Sequence, residues 1–166
     1  MRIRDYNSNT DFELIKSWIS DERTHAMWCA NNFSYPLDRD NFDETLLSFA
    51  ERYGDIPFIA TTDSGSPVGF FCYSENAETN EGLLKFVLVD PVTRGKGIAR
   101  QMIKLAASNA FERTTVDAVQ LNVFTENGRA LKCYEHVGFV VRSLYSDVFS
   151  FREEQWGRCN MALVRA

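Results

Sequence analysis

The sequence predicts an α/β fold of the α+β type, in which a mixed, mostly antiparallel sheet of about seven strands is flanked by four helices. Apolar residues recur at helical spacing in four segments, whereas seven short apolar or alternating segments are bounded by turn residues. One of these strands leads through a glycine-rich loop into a helix and then into another strand. That connection makes the two strands parallel neighbours, which creates a cleft between them.

The composition limits the classes of function. The chain has 166 residues, 45% of them hydrophobic, which predicts one domain spanning residues 1–166. A net charge of −5 argues against a nucleic-acid partner. The start of the chain lacks the apolar core of a signal peptide, and no apolar run approaches the roughly 20 residues needed to span a bilayer, so we expect a cytoplasmic protein without a membrane partner. The four cysteines and two histidines lack metal-ligand spacing, which predicts no metal site.

The N-terminal third is predicted to contain one strand and two helices. Residues 3–6 form a short strand, and a cluster of capping residues precedes a helix over residues 12–19. Residues 25–37 have no clear period and are rich in aromatic side chains. We interpret them as a loop folded onto the core, with a substrate-side wall as the alternative. A second helical pattern over residues 42–53 stops at Gly54.

The rest of the chain supplies the remaining elements. Two strands flank the turn at residues 63–67, and an acidic segment at 75–82, interpreted as a solvated loop, leads into a third strand that ends at Val89. A helix, a strand with alternating apolar residues and a helix that begins near Asn127 follow. Two closing strands are predicted at 139–145 and 159–164, separated by a polar segment.

The loop at Arg94, Gly95, Lys96 and Gly97 is the strongest functional signal. It stands where the first turn of a helix leaves its backbone N–H groups unpaired, and glycine lets a ligand approach them closely. A nucleotide-binding Walker A loop would need a Ser or Thr after the lysine, and a dinucleotide loop would need glycine in place of Arg100. The remaining candidate is the loop that holds the pyrophosphate of coenzyme A.

The segment from residue 87 to 139 resembles the GNAT superfamily of N-acetyltransferases. The pyrophosphate motif [QR]-x-x-G-x-[GA] is met by residues 94–99, after the Val-Asp-Pro of residues 89–91. A second hallmark is a helix with a fixed set of residues, here Asn127, Ala130, Tyr134, Gly138 and Phe139. The segment Trp-Gly-Arg-Cys-Asn-Met at residues 156–161 is similar in style to ribosomal-protein alanine acetyltransferases.

The resemblance implies a co-substrate, an acceptor and roles for particular residues. Acetyl-CoA would donate its acetyl group to an amine of a small molecule, protein or peptide, and Tyr134 would be the general acid for the departing thiolate. A splayed parallel strand pair would form the coenzyme cleft. The residues expected to contact the coenzyme are Leu88, Val89, Arg94, Gly95, Lys96, Gly97, Ile98, Ala99, Asn127, Ala130 and Tyr134. The residues proposed for the acceptor side are Trp28, Phe33, Tyr35 and Glu75.

Several points stay open at the level of sequence. The general base is Glu75, Glu81 or water, because Lys85 and Phe86 leave the central strand without a carboxylate. The identity of the acceptor amine is open, as is the oligomeric state, a homodimer included. Two other classes of protein also fit: a coenzyme-binding regulatory module without turnover, and a partner-binding domain that uses the aromatic residues around Trp28.

Overall fold

The computed structural model describes residues 1–166 and contains one sheet of seven strands in the order β1-β2-β3-β4-β5-β7-β6. All neighbouring strands are antiparallel except β4 and β5. The mostly antiparallel α/β fold predicted from the sequence is therefore confirmed. The strands are β1 (Arg2–Asp5), β2 (Ile56–Thr61), β3 (Pro67–Asn76), β4 (Glu81–Val89), β5 (Ala118–Phe124), β6 (Val140–Phe151) and β7 (Glu154–Val164).

Five helices flank the sheet, together with a short 3₁₀ turn at Pro91–Thr93. Helices α4 and α5 pack on one face, and α1, α2 and α3 lie on the other. None of the helices combines the length and apolar character that crossing a bilayer requires. The helices are α1 (Ser8–Trp18), α2 (Glu22–Cys29), α3 (Arg39–Tyr53), α4 (Ile98–Arg113) and α5 (Gly128–Val137).

The parallel strands β4 and β5 separate partway along their length. Their last paired residues are Leu84 and Leu121, yet β4 continues to Val89 and β5 to Phe124. Strand β4 also carries an irregularity at Phe86, whose φ of 52° lies in the left-handed region and shifts the register against β3. The expected splayed pair is thus present, with the opening at the carboxyl ends of both strands.

Separate apolar clusters occupy the two faces of the sheet. The larger, with 17 buried residues, lies under α4 and α5 and includes Met102, Leu121 and Phe139. The second, with 12 buried residues, lies under α1–α3 and includes Phe42 and Phe70. Burial of apolar surface on both sides holds the central strands in place, so the gap between β4 and β5 is a feature of a packed scaffold.

The fifth helix corrects the prediction of four helices in total, and it removes residues 25–29 from the loop predicted over residues 25–37. Residues 30–37 form no helix or strand, and Phe33 and Leu37 are buried, so this part is a loop folded onto the core as predicted. The Asp21 side chain caps α2 by accepting from the N–H of Thr24 at 2.7 Å. The buried face of α2 consists of His25, Ala26 and Cys29. Because these side chains are polar or small, they do not form the apolar stripe by which a helix is recognised in sequence.

The closing strands are also longer than predicted. The polar segment between them belongs to a hairpin, since β6 extends to Phe151 and β7 begins at Glu154. Strand β6 forms the edge of the sheet and most of its residues are exposed, so its sequence lacks the alternation of a half-buried strand. Similarly, only the middle of the acidic segment at 75–82 is a loop, because β3 ends at Asn76 and β4 starts at Glu81, with a turn at residues 77–80 between them.

Candidate functional site

The loop between β4 and α4 exposes a set of backbone N–H groups. Gly95 and Gly97 have φ values of 78° and 75°, and Gly97 occupies the N-cap position without a side-chain hydrogen bond. A Cβ atom on either glycine would meet nothing within 4 Å, so glycine is needed for the backbone angle and not for space inside the protein. The N–H groups of Gly97, Ile98 and Ala99 have no acceptor within the chain. They form a concentrated anion-binding surface at the start of α4.

Two basic side chains flank this backbone surface. Arg94 and Lys96 are exposed and form no ion pair with a carboxylate. Their charges add to the positive end of the α4 dipole. The loop therefore suits a ligand with more than one negative charge.

The gap between β4 and β5 opens next to this loop. On one side of β4, Leu88 and Val89 pair with Phe70 and Gly69 of β3. On the other side neither residue pairs with β5, whose contact with β4 ended at Leu84. An extended ligand can therefore lie along β4 in place of the missing strand partner.

Tyr134 projects from α5 into the apolar cluster that underlies this gap. Its side chain is 8% exposed, and its ring centroid lies 6.1 Å from that of Phe139. Burial raises the pKa of the Tyr134 hydroxyl above its ordinary value, so the group stays protonated at neutral pH. The start of α5 is fixed by Asn127, whose Oδ1 accepts from the N–H of Ala130 at 3.2 Å. The predicted cap is thus present, and it sets the helix that carries the tyrosine.

The aromatic residues proposed for the acceptor side lie in different environments. Trp28 donates from Nε1 to the carbonyl of Phe86 at 2.9 Å and stacks on Phe33 with centroids 5.3 Å apart. Phe33 is buried at 2% exposure, whereas Tyr35 is 45% exposed. The first two side chains support the irregular part of β4, and only Tyr35 presents much surface to solvent.

The two candidate carboxylates differ in their partners. Glu75 is exposed, makes no ion pair and lines a cleft of about 420 Å³. Glu81 accepts from Arg142 at 2.6 and 3.1 Å and from Gln120 at 2.8 Å. Glu81 is therefore held in a hydrogen-bond network, while Glu75 is free to meet a ligand or water.

Sequence reasoning missed a third carboxylate and a polar surface. Asp55, 3% exposed, accepts from Lys85 Nζ at 2.9 and 3.0 Å. A polar row also crosses β5 and β7, where Asn122 lies opposite Asn160. Both features join residues that are 30 or more positions apart, so no local pattern reveals them. No group of three or more His, Cys, Asp and Glu side chains is arranged to hold a metal ion.

The fold and the splayed pair ending at a helix start define the class of protein, an acyltransferase that takes its acyl group from a coenzyme A thioester. The model of the acetyltransferase (GNAT) family matches residues 14–139. The chain therefore belongs to the GNAT family, and it is an acetyl-CoA-dependent N-acetyltransferase. The family and enzyme class expected from the sequence are confirmed.

Similarity to individual proteins is more distant. The chain is 24% identical to an aminoglycoside N(6')-acetyltransferase type 1 of Klebsiella pneumoniae, over 78% of this chain and 69% of the relative. It is 29% identical to the peptidyl-lysine N-acetyltransferase YjaB of Escherichia coli, over 72% of this chain and 76% of the relative. These relatives share the transferred group but differ in the acceptor that their names state.

Solved structures agree with the fold over nearly the whole chain. A spermidine N-acetyltransferase of Vibrio cholerae, in complex with CoA and spermine, matches with a TM-score of 0.81 and 19% identity, covering 98% of this chain and 94% of that one. A ribosomal-protein-alanine N-acetyltransferase of Brucella melitensis matches with a TM-score of 0.76 and 20% identity, covering 99% and 100%. At this identity the likeness establishes the shared architecture.

Proposed function

We propose that this protein, as one N-acetyltransferase domain, transfers the acetyl group of acetyl-CoA to a primary amine, which attacks the thioester directly. The proposal rests on one observation: β4 and β5 separate beyond Leu84 and Leu121, and the gap opens next to the anion-binding start of α4. A pyrophosphate group at α4 and an extended arm along β4 would bring a thioester into the gap between the strands.

The donor would be held mainly by main-chain groups. The free N–H groups of Gly97, Ile98 and Ala99 would bind the pyrophosphate, with Arg94 and Lys96 adding charge. The unpaired edge of β4 at residues 88–89 would hydrogen-bond the pantetheine arm and polarise the thioester carbonyl. The capped first turn of α5, at residues 127–130, would border the same cleft.

Tyr134 would protonate the thiolate as it leaves. The hydroxyl is protonated at neutral pH because burial raises its pKa, and it makes no hydrogen bond within the chain that would have to be broken. A free thiol has a pKa of about 8.5, so the thiolate is already a fair leaving group. The proton from Tyr134 therefore accelerates a step that can proceed slowly without it.

The acceptor amine must lose a proton, and the amount of help it needs depends on its basicity. An α-amino group with a pKa near 8 costs about 1.4 kcal/mol to deprotonate at pH 7, whereas a lysine side chain near 10.4 costs about 4 to 5 kcal/mol. Glu81 is occupied by Arg142 and Gln120, which favours Glu75 or a water molecule as the proton acceptor.

The Tyr134→Phe variant tests the assignment. We expect turnover, measured as thiol release from acetyl-CoA with a panel of amines, to fall by about 10²-fold, the lower end of the range for one general acid. Affinity for CoA, measured by titration calorimetry, should stay within about twofold, because the ring and its packing remain. Unchanged turnover would remove Tyr134 from the mechanism.

In the unmodified protein, CoA binding without thiol release from any amine would point to a regulatory module, and absence of CoA binding would point to a partner-binding domain.

A further inference from the structure

The face of the sheet opposite α4 and α5 is left open over β5, β7 and β6. Leu121 and Val123 of β5 point into the cluster beneath α4 and α5, so the alternating Asn122 points to the other face, where it is exposed. Arg158 of β7 and Tyr145 of β6 are also exposed, and the Arg158 guanidinium lies 5.3 Å from the centroid of the Tyr145 ring. No helix covers these three side chains, whereas α4 and α5 cover the opposite face.

Polar residues form one wall of this open region. Arg142 extends from the edge strand β6 across the sheet to Glu81 of β4, which also accepts from Gln120. Asn160 joins the same network, because its Oδ1 accepts from Arg142 Nε at 3.0 Å. Every charged group in this wall is therefore paired.

Helix α2 and the end of the β6–β7 hairpin form the other wall. Ala26 of α2 packs in one apolar cluster with Phe151 and Trp156, the latter with no exposed surface. Arg23 of α2 pairs with Glu154 of β7 at 3.1 Å. The Glu154 carboxylate is thus occupied as well.

The strip of sheet between the two walls, called the groove below, starts at the splayed strands. Its floor is Asn122 and Asn160, joined by a hydrogen bond of 3.0 Å from Asn160 Nδ2 to Asn122 Oδ1. Asn122 comes directly after Leu121, the last residue of β5 that pairs with β4. A molecule lying on this floor would therefore have one end at the gap between the strands and the other towards β6.

The far end of the groove carries a free positive charge. The side chain of Arg158 makes no hydrogen bond or ion pair within the chain, unlike those of Arg142 and Arg23. In the register of β5 and β7 it is the diagonal neighbour of Asn122, and such neighbours lie about 7 to 8 Å apart. A guanidinium held over an aromatic ring can bind carboxylate or phosphate through two parallel hydrogen bonds.

We propose that the acceptor is a primary amine with an anionic group, carboxylate or phosphate, which Arg158 binds while the amine lies beside Asn122 at the gap. This inference rests on the proposed function and specifies its acceptor. The backbone spacing of about 7 to 8 Å between Asn122 and Arg158 is close to the length of two extended residues, so a dipeptide is a suitable probe. A polyamine would place a cation against the Arg158 guanidinium, which disfavours it at this position.

The test compares matched amines as acceptors: Ala-Ala, which has a free carboxylate, Ala-Ala amide, which is neutral, 2-aminoethyl phosphate and spermidine. With the unmodified protein, kcat/KM for Ala-Ala should exceed that for Ala-Ala amide by about tenfold or more, and spermidine should be the poorest. In Arg158→Gln this preference should disappear through a higher KM for Ala-Ala. Arg158→Lys should retain part of it. Arg113→Gln, which removes an exposed arginine on α4 at the opposite face, is the control and should keep the full preference.

A second readout does not depend on turnover. Titration calorimetry in the presence of CoA measures the binding of N-acetyl-Ala-Ala, which should weaken by about tenfold in Arg158→Gln. Equal use of Ala-Ala and its amide, a preference for spermidine, or the same selectivity in Arg158→Gln would overturn the anion site and leave the proposed function intact. Thiol release from no amine, despite CoA binding, would overturn the proposed function, and the calorimetry would still decide whether Arg158 binds an anion. A higher kcat/KM for 2-aminoethyl phosphate than for Ala-Ala would identify phosphate as the anionic group.

Discussion

The two faces of the sheet are built from different kinds of sequence. On the face under α4 and α5, the features proposed to bind the donor come from two short segments, residues 94–99 and the start of α5 at Asn127. On the opposite face, the groove is assembled from α2, β4, β5, β6 and β7, whose residues lie far apart in the chain. The proposed donor site is thus specified by short stretches of sequence, whereas the proposed acceptor site forms only when distant parts of the chain come together in the fold.

This difference corresponds to what each side has to recognise. A coenzyme bound through main-chain N–H groups requires glycines and a helix start, which many sequences can provide in the same short pattern. An acceptor is distinguished by side chains, and those proposed here are Asn122 and Arg158, beside the paired Glu81. The fold therefore allows one donor site to serve many acceptors, as the relatives' names also indicate.

The largest expected effect concerns the wall of the acceptor groove. Trp156 is fully buried, stacks on Phe149 and Phe151 with centroids 5.3 Å apart, and lies beneath the Arg23 guanidinium. Trp156→Ala should lower the free energy of unfolding by about 3 to 5 kcal/mol, because it removes an aromatic side chain from the cluster that joins α2 to the hairpin. Urea unfolding at constant pH measures this loss.

The same variant separates the two faces if enough protein remains folded. Affinity for CoA should stay within about twofold, since no coenzyme-side residue contacts Trp156, while kcat/KM for the acceptor should fall. Trp156→Phe, which keeps an aromatic ring, is the matched control and should lose less stability. If Trp156→Ala lowered CoA affinity by the same factor as kcat/KM for the acceptor, the two faces would not be independent.

Local chemistry explains which parts of the fold could be predicted from sequence. The helix after Gly97, the cap at Asn127 and the parallel strands were all predicted, because capping residues, glycines and apolar periods are neighbours in the chain. The splay was expected from the family resemblance and is present in the structure. The coenzyme-contacting residues, including Tyr134, stay predictions that the proposed variants test.

The features that were missed depend on contacts across the chain. Helix α2 buries His25, Ala26 and Cys29, whose types indicate no apolar stripe, although Asp21 before Thr24 is a local cap signal that could have revealed it. The predicted strand over residues 139–145 was shorter than β6, because the residues of an exposed edge strand need not alternate between apolar and polar. The ion pair between Asp55 and Lys85 could not be inferred, since it forms only after α3 and β4 have packed on the same face.

An intermediate effect is expected at the donor loop. Gly97→Ala places a Cβ on a residue with a φ of 75°, which should cost about 1 to 2 kcal/mol in stability and shift the N–H groups at the start of α4. Affinity for CoA, measured by titration calorimetry, should fall by about tenfold because those N–H groups would no longer converge on the pyrophosphate.

Gly54→Ala is a control with the same backbone strain. Gly54 ends α3 with a φ of 74°, and, as at Gly97, a Cβ atom added there would meet nothing within 4 Å. The two variants should therefore lose similar stability, but Gly54→Ala should bind CoA normally. Equal weakening of CoA binding in both would mean that the loop has no direct part in holding the donor.

The smallest expected effect is a pH dependence on the acceptor side. His25 of α2 is 1% exposed, its ring lies 3.5 Å from the Sγ atom of Cys29, and burial lowers its pKa below the ordinary value of about 6.5. The unfolded chain therefore takes up a proton at a higher pH than the folded chain. The stability associated with neutral His25 is complete above the unfolded pKa and is lost as the pH falls from there towards the folded pKa.

Urea unfolding between pH 7.5 and 5 tests this dependence against His25→Gln. The free energy of unfolding of the unmodified protein should fall on acidification below about pH 6.5, and the variant should show a shallower fall. Between pH 7 and 7.5 the two curves should run parallel, which serves as the internal control. Because α2 forms one wall of the groove, acceptor use should decline over the same acidic range while CoA affinity does not. Identical slopes in both proteins would show that His25 is not the group that senses pH.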